Sequence, residues 1–169
     1  MTLVLFIIGG LVLLFGFVVV FGAPYVPSLR KEVSGAFKEL YLLSKKDLVV
    51  DLGSGDGSIL LAASKSGAHC FGVELNPVLV FISKLRLGKR ADIQLGNMWL
   101  TKLPSETTLV YAFVVSRDTK RLERRLQTEA NRLNKELLLM TFGAALPSKH
   151  PVRIRKAHSL YSFKPLQVH

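Results

Sequence analysis

The stretch Val49-Val50-Asp51-Leu52-Gly53-Ser54-Gly55-Asp56-Gly57-Ser58 decides the fold. Ahead of the glycines, Leu48 to Leu52 is an apolar run short enough to be a buried strand. Behind them, Ile59 to Ala63 opens an apolar segment of helical length. Three glycines at alternate positions let the backbone approach a ligand closely, and the start of the following helix offers free N–H groups to it. Strand, glycine turn and helix make the shape of a nucleotide-binding βα unit. Glu74 closes the next apolar run, His69 to Val73, about 20 residues after the first glycine, where a doubly wound fold places an acid on ribose hydroxyls.

Working outward, the periodicity predicts strands at 47–52, 69–74, 93–95, 108–115 and 136–142, with helices at 57–66, 77–87 and 117–133 between them. Asn76 with Pro77 is a helix start signal and Gly88 a stop. Thr108 to Val115 is nearly all apolar, hence central and covered on both faces. Val152 to Lys164 reads as one or two antiparallel strands at the sheet edge. The fold class is therefore α/β, doubly wound and mostly parallel, Rossmann-like with an antiparallel C-terminal edge. Ligands of such sheets sit at the carboxyl ends of the strands. Those ends carry Gly53 to Gly57, Glu74, Asn97 to Trp99, and Val114 to Arg117.

The 169 residues allow one ordinary domain plus an appendage. Residues 1–29 hold no charged side chain and Leu3 to Phe21 is almost wholly apolar. As a helix that run spans roughly 28 Å, the thickness of a bilayer core. Without the basic start and shorter apolar core of a signal peptide, it is expected to be a transmembrane anchor over residues 1–22. Residues 23–45 then form a proline-stiffened linker and an amphipathic helix at 29–41, set to lie on the membrane or to pack on the domain. Residues 46–169 form the sheet domain. All 23 Lys and Arg follow the anchor, which predicts a single-pass protein with its domain on the cytoplasmic side.

The formal net charge is +11, concentrated in three clusters: 84–90, 117–125 and 153–156. An anionic membrane surface is the first partner this suggests and nucleic acid the second. The single cysteine, Cys70, excludes an internal disulfide framework, and no metal-ligand spacing occurs, so no metal is expected. Cys70 itself reads as a small buried hydrophobe.

The glycine spacing is Gly-x-Gly-x-Gly rather than the dinucleotide pattern, and no Lys-Ser/Thr pair follows, which removes a P-loop. A carboxylate at Asp56 is awkward beside a pyrophosphate and suits a ligand with a positive centre. S-adenosylmethionine has such a centre in its sulfonium. Asp51 to Gly57 together with Glu74 resembles the seven-strand S-adenosylmethionine-dependent methyltransferases. The apolar N-terminus, Pro24-Tyr25-Val26-Pro27, Glu74-Leu75-Asn76-Pro77 and Trp99 look like the small membrane-anchored protein-lysine methyltransferases. Mitochondrial members of that group modify the adenine nucleotide translocase and the c-ring protein of ATP synthase. Asn97 stands where the family usually has an acid, and the segment after the fourth strand lacks the family's glycine and proline. No basic stretch precedes the anchor, so a bacterial or archaeal membrane is expected rather than a mitochondrial one.

The resemblance implies a cofactor set of Asp51, Gly53, Ser54, Gly55, Gly57, Glu74, Leu75, Asn76, Asn97, Met98 and Trp99. Asp51 would hold the cofactor's amino group, the glycines its methionine part and Glu74 the ribose hydroxyls. Leu75 and Met98 would sandwich the adenine, Asn97 would read its edge, and Trp99 would line the pocket or join the core. No catalytic base stands out, since Asp118 reads better as a helix-start acid. The expected function is protein-lysine methylation on a membrane or membrane-proximal protein. An RNA methyltransferase, a lipid or quinone methyltransferase and a non-catalytic nucleotide-binding membrane sensor are the alternatives.

Overall fold

Apolar runs of five to seven residues, punctuated by glycine, asparagine and proline, become strands here because each can be covered on both faces. A computed structural model describes residues 30–166, together with Thr2, Val4–Phe6, Gly9 and Gly10. The elements in order are α1 (Arg30–Glu39), β1 (Leu48–Leu52), α2 (Ser58–Ser64), β2 (His69–Glu74), α3 (Pro77–Leu87) and β3 (Asp92–Leu95). After these come β4 (Leu109–Val114), α4 (Thr119–Leu133), β5 (Leu137–Gly143), β6 (Arg153–Arg155) and β7 (His158–Phe163). The expected anchor and the proline linker fall outside the described residues, apart from the few N-terminal positions named. Among the described residues no helix is long and apolar enough to cross a membrane.

The strands form one seven-stranded sheet in the order β3-β2-β1-β4-β5-β7-β6. β1 to β5 run parallel, with Val49 opposite both Cys70 and Leu109, and β7 runs antiparallel to β5 and to β6. Period-two alternation sends successive side chains into two different layers. Val49, Tyr111 and Met140 join Phe37, Leu40, Leu60, Val80 and Leu87 beneath α1, α2 and α3. Val50, Leu52, Ala112, Leu139 and Tyr161 join Leu122, Leu126 and Ala130 beneath α4. Burying each such leucine or phenylalanine stabilises the fold by about 1.5–3 kcal/mol.

Two expectations change. The C-terminal strand is antiparallel, but it is not the edge: β7 is inserted between β5 and β6. Tyr161 and Phe163 are fully buried and need neighbours on both sides, which a terminal position does not supply. The edge falls to β6, whose Arg153-Ile154-Arg155 is short and charged, a composition that discourages further strand pairing. The third basic cluster is also not a free surface. Arg153 Nη1 lies 3.5 and 3.4 Å from the Glu39 and Leu40 carbonyl oxygens at the end of α1, Arg155 Nε lies 2.8 Å from Glu39 Oε2, and Lys156 Nζ lies 2.9 Å from Glu32 Oε1. With Val33, Ala36, Phe37 and Leu40 turned into the core, α1 packs on the domain rather than lying elsewhere.

Candidate cofactor site

Parallel strands end on the same side, so the segments after β1, β2, β3 and β4 meet on one rim. The main chain there continues the ladder past the strands. Gly53 N and Ser54 N both donate to the Val73 carbonyl (2.9 and 3.0 Å), Gly96 N donates to the Glu74 carbonyl (2.9 Å), and Ala144 N donates to the Val114 carbonyl (3.0 Å). The turn after β1 is thereby folded over the end of β2.

The glycines of that turn have φ of 83° at Gly53, 54° at Gly55 and 76° at Gly57. In this left-handed region a Cβ costs about 1–2 kcal/mol per residue. A Cβ on Gly57 would also run into Ser83 Oγ and stand 2.7 Å from Leu87 Cδ1, so its absence lets α2 and α3 touch. Gly53 faces Met98, whose sulfur lies 3.9 Å from where a Cβ would be.

The Glu74 carboxylate ties two loops together. Its Oε2 accepts from Gly55 N at 2.8 Å and its Oε1 from Asn76 N at 2.8 Å. Asn76 in turn caps α3, with Oδ1 accepting from Val78 N (2.9 Å) and Leu79 N (3.4 Å), and Pro77 occupies the first helical position. Glu74 and Asn76 are buried, while Leu75 between them is exposed at the rim.

Asp51 is 2% exposed and its Oδ2 has no hydrogen-bond partner among the described residues. Burial first, and then the charges of Glu74 and Asp56, hold its carboxyl well above the usual carboxylate range. Ser54 Oγ is likewise buried without a partner. A protein does not leave two polar groups dry and unpaired beside a glycine turn without cost. A ligand with a cationic donor and hydroxyl or carboxylate groups would satisfy both, and the residues present fit S-adenosylmethionine in this respect.

Asp56 does not act as the sequence suggested. Its Oδ1 accepts from Ser58 N (3.1 Å) and Ser58 Oγ (2.7 Å), and Oδ2 pairs with Arg86 Nη1. Arg86 also donates to the Asp56 carbonyl (2.8 Å) and to Ser58 Oγ (2.9 Å). The carboxylate is neutralised by a guanidinium and caps α2, so its role is to staple the turn to α3. Sequence reasoning passed over Arg86 because 30 positions separate the pair and no local pattern announces it.

After β3 the arrangement is mixed. Asn97 Oδ1 accepts from Trp99 N at 2.9 Å, and the Asn97 carbonyl accepts from Leu100 N and Thr101 N (3.0 Å each), closing a tight turn. Met98 and Trp99 are half-buried against the α4 layer. The Arg121 guanidinium stacks on the Trp99 ring, 4.3 Å from its centre, and Arg125 Nη2 donates to the Thr101 carbonyl at 2.6 Å. Part of the second basic cluster therefore braces this loop. After β4, Ser116–Asp118 forms one 3-10 turn, and Asp118 Oδ2 lies 3.5 Å from Arg117 Nε. The Cys70 thiol, buried behind Asp51, is pushed up to about 12 by burial and by Asp51, and it is inert packing as expected.

Comparison with known proteins matches residues 51–152 to the ANTKMT methyltransferase domain. The lysine N-methyltransferase of Xenopus laevis named for the c-ring protein of ATP synthase is 37% identical over 111 residues, covering 63% of this chain and 48% of that protein. A protein-lysine N-methyltransferase of Saccharolobus islandicus is 34% identical over 113 residues, covering 63% of this chain and 69% of that protein. The match spans about half the length of the first animal relatives, at 48% and 52%. Among solved structures, an RNA methyltransferase from Salinibacter ruber in complex with S-adenosyl-L-homocysteine superposes with a TM-score of 0.68 at 19% identity, over 87% of this chain and 97% of that one. That likeness concerns the fold.

Proposed function

Because this chain belongs to the ANTKMT methyltransferase-domain family, which it matches over residues 51–152, we propose that it is an S-adenosylmethionine-dependent protein-lysine N-methyltransferase. The observation that carries the reading is the rim itself. A glycine turn is pinned by Glu74, beside a buried Asp51 with an unpaired oxygen. The named activities of the relatives from Xenopus and Saccharolobus support lysine as the acceptor.

Asp51 holds the amino group of the cofactor, and the main chain of Gly53 to Gly57 wraps its methionine part. Glu74 keeps one lone pair on each oxygen for the ribose hydroxyls, because Gly55 N and Asn76 N take the others. Exposed Leu75 and half-buried Met98 flank the adenine, with Asn97 at its edge and Trp99 closing the pocket wall. Bound there, S-adenosylmethionine supplies an electrophilic methyl on a positively charged sulfur. The protein's contribution is to align the incoming amine with that methyl and to keep water out, the kind of positioning that carries much of the rate of an in-line displacement. A lysine amine of pKa about 10.4 must arrive deprotonated. Asp118 is engaged with Arg117 and takes no such proton.

The uncharged, apolar run Leu3 to Phe21 supports anchoring in a membrane, and the basic residues that follow support a cytoplasmic domain. The eight residues from 22 to 29 reach at most about 30 Å. A domain that begins at α1 therefore works on membrane or membrane-proximal proteins.

Transfer of a labelled methyl group into separated membrane-protein, RNA and lipid fractions tests the reading. Methyl-lysine in the protein fraction is the expected result; label in RNA or lipid, or in none, overturns it. Gly55→Arg and Glu74→Ala should each abolish cofactor binding by calorimetry. Unchanged affinity in both would remove the site assignment.

A further inference from the structure

Helix α3 leaves an apolar face uncovered. Val78, Phe81, Ile82 and Leu85 recur at the spacing of one helix face, and that face points outward, with Phe81 63% and Leu85 71% exposed. The opposite face places Val80, Ser83 and Leu87 in the interior. An exposed helix face of a water-facing protein is ordinarily polar, and a contiguous apolar one marks a contact with something. At its N-terminal end the patch runs through Leu75 onto the cofactor rim.

The charge around the patch says what that contact is. From Leu75 to Ala91 there is no acidic residue and there are four basic ones. Arg86 is taken by Asp56, while Lys84, Lys89 and Arg90 are exposed beside the apolar stripe. The other two clusters are partly drawn inward, onto Trp99 and onto α1. An apolar stripe with lysine and arginine at its border is the composition of a helix that lies in the interface of an anionic bilayer. The uncharged residues 1–29 lead into α1, and α1 and α3 contribute to the same core layer on the same face of the sheet.

We propose that the outer face of α3 is a docking surface for an anionic bilayer, with Phe81 and Leu85 among the acyl chains and Lys84, Lys89 and Arg90 at the phosphates. The proposal rests on the membrane reading given above but not on the identity of the methyl acceptor. Each basic residue near such a surface strengthens binding roughly fivefold. Docked in this way, the domain sets the Leu75 end of the rim at the membrane surface, where the lysine of a membrane protein would present itself.

The test places a polarity-sensitive fluorophore on the full chain at Phe81→Cys, at Leu85→Cys or, as a control on the opposite layer, at Thr128→Cys. The native Cys70 is buried and stays unlabelled. The protein is added to vesicles of phosphatidylcholine with phosphatidylglycerol or of phosphatidylcholine alone, floated, and quenched with iodide. With phosphatidylglycerol, quenching should be lost at 81 and 85 and kept at 128. A chain that floats while 81 and 85 remain as quenchable as 128 overturns the docking face and leaves the membrane reading intact. A chain that does not float removes both. Equal protection on phosphatidylcholine alone overturns the assignment to an anionic surface. Protection without lipid that tracks dimer formation in sedimentation assigns the face to a second copy instead. A normal methyl-transfer rate in all three labelled proteins keeps the outcome separate from catalysis.

Discussion

At the scale of single residues, Asp51 is the position where folding and binding pull in opposite directions. Its carboxyl is protonated far above the pKa of about 3.9 that it has when unfolded. A raised acid contributes stability that is full below that value and is lost as pH rises through its folded pKa. Near neutral pH the unfolded chain gains from ionising Asp51 and the folded, cofactor-free chain does not. Asp51→Asn should therefore raise the melting temperature of the cofactor-free protein near pH 7. It should also weaken S-adenosylmethionine by roughly ten- to a hundredfold, the worth of a hydrogen bond to a charged group. A variant that melts lower and binds normally would show that Asp51 is merely structural. The residue scale is also where the sequence was least legible. Gly53, Gly55 and Gly57 carry their meaning in their spacing, whereas the Asp56–Arg86 pair forms only when α3 is laid against the turn.

Among elements, β7 shows what local pattern does not contain. Asn76, Pro77 and Gly88 mark both ends of α3 chemically, and the helix runs from Pro77 to Leu87 as expected. The strand character of 158–163 was equally visible in its apolar alternation. Its place between β5 and β6 was not, because the choice of neighbour depends on which distant partner covers Tyr161 and Phe163. The insertion puts His158 inside the fold, fully buried opposite Phe142, with Nε2 3.1 Å from the Tyr111 hydroxyl. Burial lowers its pKa, against a raising pull from Glu32 and with a smaller push from Arg155. A depressed histidine contributes stability that is present above its unfolded pKa, about 6.5, and is lost as pH falls through the folded value. Thermal melts from pH 7.5 down to 5 should fall more steeply for the native protein than for His158→Gln. Parallel curves would mean that other groups carry the acid sensitivity.

For the molecule as a whole, the alternation of strands and helices was enough to give a parallel α/β sheet with its rim at the glycine turn. The distribution of charge was legible as an excess but not in its use. Two of three basic clusters are spent partly on contacts within the chain, and only the folded arrangement of α1, β6 and Trp99 reveals this. If Leu3 to Phe21 anchors the protein, the full chain should stay with membranes through high salt and alkaline carbonate and leave with detergent. Release by salt alone would reduce the association to surface charge. The clasp of Arg153, Arg155 and Lys156 on α1 has a further consequence in such a setting. A protein tethered through its first residues is dragged whenever its membrane flows or its substrate moves away. That load enters through α1 and meets the clasp at the β6 margin, with β7, β5 and β4 standing between it and the β1 turn. The clasp behaves as a mooring: it takes up tension at the far flank of the sheet, so that the turn where the cofactor sits is the last part of the domain to feel the pull.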